Sequence, residues 1–307
     1  MWLLRRWQVW LFLPVALMFA GAPAIAQPVP SDAEYFKARI DSAVLAVGDN
    51  PRLKNLSPKY RQQLAEFVSG NMLFTLLHEM AHAAIGQMGL PVLGKEEDAA
   101  DSFAATRLIR IGSEFSDQIV AEAAKGWFLA DRRDQKEGDT VAYYDEHGLN
   151  QQRAYQIVCF VVGSNEEKFK HLAAETKLPK DRQHRCVSDY SKALRSWELV
   201  LKPHLRAPDQ PKTEINVVYG EAKGKFEVSG QISRAIRLLE TVAENSANQI
   251  AWPAPFTLEM QTCGFPNAAW IASAQKITLC YELGTDFSDL YRTYNAAPTK
   301  SRKRKSN

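Results

Sequence analysis

One segment in the first third of the chain is apolar on nearly every helical face. Its start at Ser57-Pro58 is typical of a helix, because proline fits the first helical position, and nothing interrupts the helix before Gly89-Leu90-Pro91. Apolar residues surround three polar side chains within it, those of His78, Glu79 and His82. Because a helix without a polar face is buried, the pattern predicts a buried helix over residues 58–88.

The segments on either side of this helix are also helical in pattern. Asn50-Pro51 ends the first of them, and no strong strand signal follows until after residue 205. We predict these helices at residues 32–47, 95–111, 115–131, 146–162 and 186–203. The chain up to residue 205 is therefore expected to be all α.

The composition changes near the prolines at positions 208 and 211. Residues 215–219 and 225–228 predict two strands around a glycine-containing turn, and a helix over about 230–245 and a strand over 277–281 follow. The predicted fold class is mainly α (α+β). We predict a helical domain over residues 27–206 and a small α+β subdomain over 213–290 packed on it, which 307 residues can accommodate.

The first 26 residues have the pattern of a secretory signal peptide. Arg5 and Arg6 precede a mostly apolar stretch, which ends at Ala24-Ile25-Ala26 before Gln27. A membrane anchor is the alternative, but the small residues at the exit favour cleavage and a mature start at Gln27. No later segment is apolar enough to span a bilayer. We therefore expect a periplasmic or secreted protein.

Four cysteines form two local pairs in the sequence. In an exported chain, an even number of cysteines predicts disulfides, here Cys159–Cys186 and Cys263–Cys280. A zinc site built from all four thiolates is the competing interpretation, but the chain contains no C-x-x-C pair.

The formal net charge of +3 is misleading, because seven cations lie in the leader and the last eight residues. Without them, 31 cations face 35 acidic residues, which gives a net charge of −4. The body of the protein therefore lacks the basic excess of nucleic-acid-binding proteins, and we expect no nucleic-acid partner. The basic end, residues 291–307, is predicted to be a disordered tail.

The polar residues of the buried helix form an H-E-x-x-H motif. On a helix, His78 and His82 project from one face and can bind one Zn²⁺, while Glu79 reaches a water at the metal. Burying two imidazoles and a carboxylate among apolar side chains is costly unless a partner compensates them, and a metal does so. The alternative is a pair of core histidines held by hydrogen bonds.

A catalytic zinc site needs a third protein ligand, and the next helix offers acids. Glu97 and Asp101 are one turn apart with small alanines between and after them, which allows a close approach to the metal helix. We assign Glu97 as the ligand and Asp101 as the acceptor that orients His78 or His82 through the distal N–H. Glu96 and Asp98 remain alternative ligands, and acids in a first helical turn also favour its positive end.

These residues carry a family resemblance. The run HEMAHAAIGQMGLPVLGKEEDAADSFA resembles the bacterial DUF4344 metallopeptidase family and, more distantly, the zinc site of thermolysin-like gluzincins. The stretch from Asp145 to Arg153, the segments around the cysteines and the ITLCYEL segment at residues 277–283 are also similar to that family. The resemblance implies a zincin-like metallopeptidase core. It leaves the substrate undefined.

The expected function is that of an exported zinc metallopeptidase acting on a peptide or protein. A metal-activated water attacks the peptide carbonyl, and Glu79 takes its proton as general base. His147 is the predicted donor to the oxyanion, with Arg153, Tyr143 and Tyr144 as alternatives. A zinc-stabilised scaffold protein of the cell envelope, or a metal hydrolase of a non-peptide bond, are the alternative functions.

Overall fold

The buried helix occupies the centre of the fold as α2, Pro58–Met88. The computed structural model describes residues 32–295, with side chains from Ala38 onward. The Ser57 hydroxyl accepts a hydrogen bond from the Tyr60 backbone N–H at 3.2 Å, and Gly89 ends the helix in the left-handed region at φ 61°. Both predicted ends of α2 are confirmed.

Most of the other elements in the first two hundred residues are helices, as predicted. The boundaries differ where local capping decides them. The helix predicted at 115–131 continues to Glu137 and is capped by Gly138, which adopts φ 76°. The next helix begins only at Asn150, because residues 145–148 form a loop. These helices are α1 (Asp32–Ala46), α3 (Glu96–Ile111), α4 (Glu114–Glu137), α5 (Asn150–Ser164), α6 (Lys170–Glu175) and α7 (Lys180–Leu201).

A four-stranded mixed sheet lies in the C-terminal third. Its strands are β1 (Ile215–Tyr219), β2 (Phe256–Gln261), β3 (Ala268–Ile271) and β4 (Lys276–Cys280), in the order β1-β2-β4-β3. The first three strands of that order are parallel, whereas β3 is antiparallel to β4 and lies at the edge. The fold is mainly α with a small α+β part, which confirms the predicted class.

The strand predicted at residues 225–228 is wrong. A 3-10 turn, Gly224–Phe226, leads directly into α8 (Glu227–Ala235), in which Val228 and Ile232 are buried one turn apart. The partner of β1 is instead β2, which lies about 40 residues later in the sequence. The helix predicted over 230–245 is interrupted at Arg237, whose φ of 51° separates α8 from α9 (Leu238–Gln249).

The end of the described chain is a helix rather than a tail. The last strand stops at Cys280, one residue earlier than predicted, and α10 (Tyr281–Tyr294) follows at once. Because α10 packs on α2 and α4, helical structure reaches four residues into the predicted tail. The rest of that tail and the predicted signal peptide lie outside the described residues. The described residues, 32–295, form one compact unit, and the domain boundaries stay a prediction.

Both predicted disulfides are present. Cys159–Cys186 joins α5 to α7, and Cys263–Cys280 joins the loop after β2 to the end of β4. The first depends on Gly163, since a Cβ atom there would lie 2.1 Å from the Cys186 carbonyl oxygen. Within residues 32–295, no helix combines the length and apolarity needed to cross a membrane.

Candidate metal centre

Two helices bring the predicted ligands together. On α2, His78 and His82 are one turn apart, and their Nε2 atoms lie 3.0 Å from each other. After the turn at Gly89 the chain reverses into α3, whose fully buried Ala100 and Ala104 permit close packing against α2. This packing brings the first turn of α3, which contains Glu97, to the imidazole pair.

The Glu97 carboxylate is the point on which three imidazoles converge. Its Oε2 atom lies 3.0 Å from His78 Nε2 and 2.9 Å from His147 Nε2, and its Oε1 atom lies 3.5 Å from His82 Nε2. The third imidazole comes from the loop between α4 and α5. Residues from three separate parts of the chain therefore point nitrogen and oxygen donors at one small volume.

Each of these imidazoles has a carboxylate at its other ring nitrogen. Asp101 lies 2.8 Å from His78 Nδ1, Glu96 lies 2.7 Å from His82 Nδ1, and Asp145 lies 3.2 Å from His147 Nδ1. A carboxylate at Nδ1 favours the tautomer in which Nε2 has a free lone pair, which is the arrangement that metal-ligating histidines adopt. The sequence left open whether Asp101 contacts His78 or His82, and the contact is with His78.

A buried ion pair holds Asp101 in place. Arg153 donates from Nε and Nη2 to the two Asp101 carboxylate oxygens, both at 2.7 Å. Asp101 is only 1% exposed, and the guanidinium lies 3.7 Å from the centre of the Trp127 ring. Nε and Nη2 of Arg153 thus face Asp101, and the contribution of Arg153 to the site passes through Asp101 and His78.

The carboxylate of Glu79 is buried beside the cluster and tied to the sheet. Its Oε2 atom accepts a hydrogen bond from the backbone N–H of Trp270 at 2.8 Å. Trp270 lies in β3, and β3 packs on α2. The sheet therefore fixes the side chain of the second residue in the H-E-x-x-H motif.

A family model described as "Putative metallopeptidase" matches residues 32–201 and 221–307. The chain belongs to this family, DUF4344. The match includes every residue of the cluster described above. No curated protein and no solved structure matches the chain. Membership of DUF4344 indicates a metal-dependent hydrolase and leaves open the metal and the substrate.

The electrostatics of the DUF4344 site separate its acids into two kinds. Burial raises the pKa of Glu79 above its ordinary value. Burial opposes ionisation of Glu97 as well, but hydrogen bonds from the three imidazoles outweigh it and hold the pKa of Glu97 well below the usual range. Burial likewise opposes the charge on Asp101, yet Arg153 lowers its pKa to about 2. Glu97 and Asp101 are therefore carboxylates at neutral pH, whereas burial shifts the pKa of Glu79 in the opposite direction, upward.

The carboxylates around the imidazoles favour positive charge at the centre. Burial lowers the pKa of His82, but hydrogen bonds to Glu97 and Glu96 outweigh burial and raise it to about 9. His78 and His82 face each other through Nε2 atoms only 3.0 Å apart, a pairing that a shared cation satisfies. Imidazole nitrogen and carboxylate oxygen are common zinc ligands. The residues present therefore fit the metal that a metallopeptidase family implies.

Not all residues considered from the DUF4344 sequence reach the centre. Tyr143 and Tyr144 are 82% and 93% exposed, and Arg153 is committed to Asp101. Glu96 contacts His82 at Nδ1, the ring nitrogen that faces away from the Nε2 atoms at the centre. Asp98 has no contact with an imidazole among the described interactions, which leaves Glu97 as the acid at the convergence point.

Three contributors were missed by sequence reasoning. Glu96, the partner of His82, lies on the same helical turn as Glu97, and Asp145 lies on the same loop as its partner His147. Both contacts could have been found from these positions. The Trp270 backbone N–H could not have been found in this way, because it lies 191 residues from Glu79 and every residue except proline has such a donor.

The DUF4344 chain also contains a cavity of about 1050 Å³ away from this cluster, between α3, α5 and α7. Its lining is largely apolar and includes Leu90, Phe160, Trp197 and Val200. None of the three clustered imidazoles lines it. The chemistry of the side chains, and not cavity volume, locates the candidate site.

Proposed function

We propose that this protein is an exported, zinc-dependent metallopeptidase. One observation carries the proposal: His78, His82 and Glu97 present their donor atoms to one point, with the buried carboxylate of Glu79 on the same helix. These three residues would hold the metal, and Asp101 and Glu96 would orient the two imidazoles. When bound, zinc at such a site polarises a carbonyl and lowers the pKa of a water molecule.

The protein's own residues supply the proton transfers. The raised pKa of Glu79 brings this carboxyl nearer the range in which a group can accept a proton and return it. We assign to it the removal of the water proton and its delivery to the leaving amine. The Trp270 N–H restricts the rotation of the carboxylate, so that the base stays aimed at the centre.

Charge that develops on the substrate oxygen needs a donor besides the metal. His147 is the only imidazole among the described residues, other than the two motif histidines, that reaches the centre. When protonated, its Nε2–H is placed to stabilise the oxyanion, with Asp145 balancing the charge at Nδ1.

The edge of the sheet supports a peptide as the substrate. In the described chain, β3 has β4 as its neighbour on one side, and its Trp270 N–H points outward to the metal helix. An exposed strand edge pairs with extended peptides through backbone hydrogen bonds. Because the Trp270 N–H already donates to Glu79, a peptide added along β3 would pair with the remaining backbone groups of that edge and lie next to Glu79 and the imidazoles.

The two disulfides support export. Disulfides of this kind persist in the periplasm and outside the cell, where the compartment is oxidising. We therefore assign the protein to the periplasm or the medium, after removal of residues 1–26.

The mature chain from Gln27 should cleave members of a peptide library. A chelator is expected to reduce cleavage to background, because the carbonyl and the water lose their activating ion, and added zinc should restore it. Product masses identify the scissile bonds. Cleavage that resists complete removal of the metal would contradict the proposal, and so would hydrolysis of peptidoglycan fragments with no cleavage of any peptide.

A further inference from the structure

The loop between α4 and α5 delivers a third imidazole into the cluster. His147 Nε2 lies 2.9 Å from Glu97 Oε2, and its ring is nearly parallel to that of His78, with centroids 6.3 Å apart. The side chain is 48% exposed, so only its inner edge is in the cluster. This loop was the part of the site that the helix pattern did not predict.

His147, like the two motif histidines, has a carboxylate at Nδ1 and directs its Nε2 atom toward the centre. Asp145 Oδ1 lies 3.2 Å from the outer nitrogen, Nδ1, and also accepts a hydrogen bond from the His147 backbone N–H at 2.8 Å. The carboxylate thereby contacts both the backbone N–H and the ring of His147. With Nδ1 protonated toward Asp145, Nε2 points its lone pair at the centre.

A lysine ties this loop to the helix that carries Glu97. Lys95 Nζ donates to the backbone oxygens of Asp145 at 2.9 Å and His147 at 3.4 Å. Lys95 is the residue immediately before α3, two positions from Glu97. The position of His147 is therefore coupled to that of the carboxylate it contacts.

The spacing of the donor atoms is compatible with a shared metal ion. Donors that share one zinc ion at about 2.0–2.2 Å in tetrahedral geometry lie roughly 3.3–3.5 Å from one another. The nitrogen of His147 is as close to Glu97 as that of His78 is, at 2.9 and 3.0 Å, and closer than that of His82, at 3.5 Å. The ligand atoms of His78, Glu97 and His147 all lie within 4.8 Å of one another, which makes these three residues a group that could hold one metal ion.

We propose that His147 is a fourth metal ligand in the resting protein, which closes the site with three imidazoles and Glu97. This inference rests on the proposed function. Catalytic zinc sites keep one position for water or substrate, whereas four protein ligands leave none. With four protein ligands in place, the His147 nitrogen would have to move aside before a substrate could reach the site. Its position in a partly exposed loop allows this movement, and the released imidazole is then free to take a proton and bind the oxyanion.

X-ray absorption at the zinc edge tests the proposal on the folded, zinc-loaded mature protein. The wild type is expected to show three imidazoles and one carboxylate, and His147→Ala is expected to show two imidazoles. Zinc affinity, measured by competition with a chromophoric chelator, should fall by at least about 10-fold in this variant, because even outer hydrogen-bond partners of ligands contribute that much.

His184→Ala is the matched control. His184 also faces a carboxylate, Glu166 at 3.3 Å, but it is 71% exposed and outside the cluster. This variant should keep three imidazoles and the wild-type affinity. Two imidazoles in the wild type, with an unchanged affinity in His147→Ala, would overturn the fourth ligand and leave the metallopeptidase proposal intact. A wild-type protein that binds no zinc would instead overturn the proposed function itself.

Discussion

Glu79→Gln is expected to reduce kcat/KM for peptide hydrolysis by about 10²–10⁴-fold, the range that a general acid–base group supplies. The amide has the shape of the carboxylate and can still accept the Trp270 N–H hydrogen bond at its oxygen. It cannot take up a proton at pH 7. Zinc content should stay at about one ion per chain, because the proposed ligands are untouched. Steady-state kinetics and metal analysis of the same preparation measure both quantities.

Glu66→Gln provides the matched control for this variant. Glu66 lies on the same helix and accepts a hydrogen bond from Gln62 at 2.9 Å on the surface of α2, three turns before the motif. Its replacement removes the same charge by the same change of atoms, and activity should remain at the wild-type level. Full turnover by Glu79→Gln would contradict the assignment of the base.

Arg153→Met is expected to produce the largest loss of stability, about 3–5 kcal/mol in the free energy of unfolding. Methionine keeps apolar contact with Trp127, but it leaves the Asp101 carboxylate buried without its cation. The low pKa of Asp101, about 2, means that this group is charged at neutral pH while Arg153 is present. Urea unfolding of the metal-free protein with its disulfides intact measures the loss.

Arg182→Met is the comparison for a pair near the surface. Arg182 and Asp189 lie 2.8 Å apart on α7, with side chains 38% and 41% exposed. An exposed pair contributes only about 0–1 kcal/mol, because water and salt screen it. Equal losses in the two variants would show that burial of Asp101 has no special role, and that the support of His78 through Asp101 is weaker than its geometry implies.

The local part of the site was predictable from the sequence. The proline at position 58 and the glycine at position 89 define α2, and the i, i+4 spacing puts His78 and His82 on one face. The small residues of α3 allow Glu97 to approach the pair. Capping, periodicity and residue size are local properties, because each depends on residues that are close together in the sequence. They can therefore be read from the sequence alone.

The remaining part of the site depends on contacts between distant segments. The predicted strand at 225–228 failed because Val228 and Ile232 are buried on a helix that packs against α1, which outweighs the local strand preference. The position of β3 beside Glu79 follows from the register of a mixed sheet. No short sequence pattern specifies such a register, and so the role of Trp270 was not predicted.

The zinc content of the purified mature protein, compared with that of His82→Ala, tests the central claim most directly. His171→Ala is the control, because His171 is exposed and outside the cluster. After exhaustive dialysis, elemental analysis should find about one zinc per chain in the wild type and in His171→Ala. His82→Ala should bind zinc at least about 10-fold more weakly, since it lacks one of the converging donors. Equal zinc content and affinity in all three proteins would contradict the site formed by His78, His82 and Glu97.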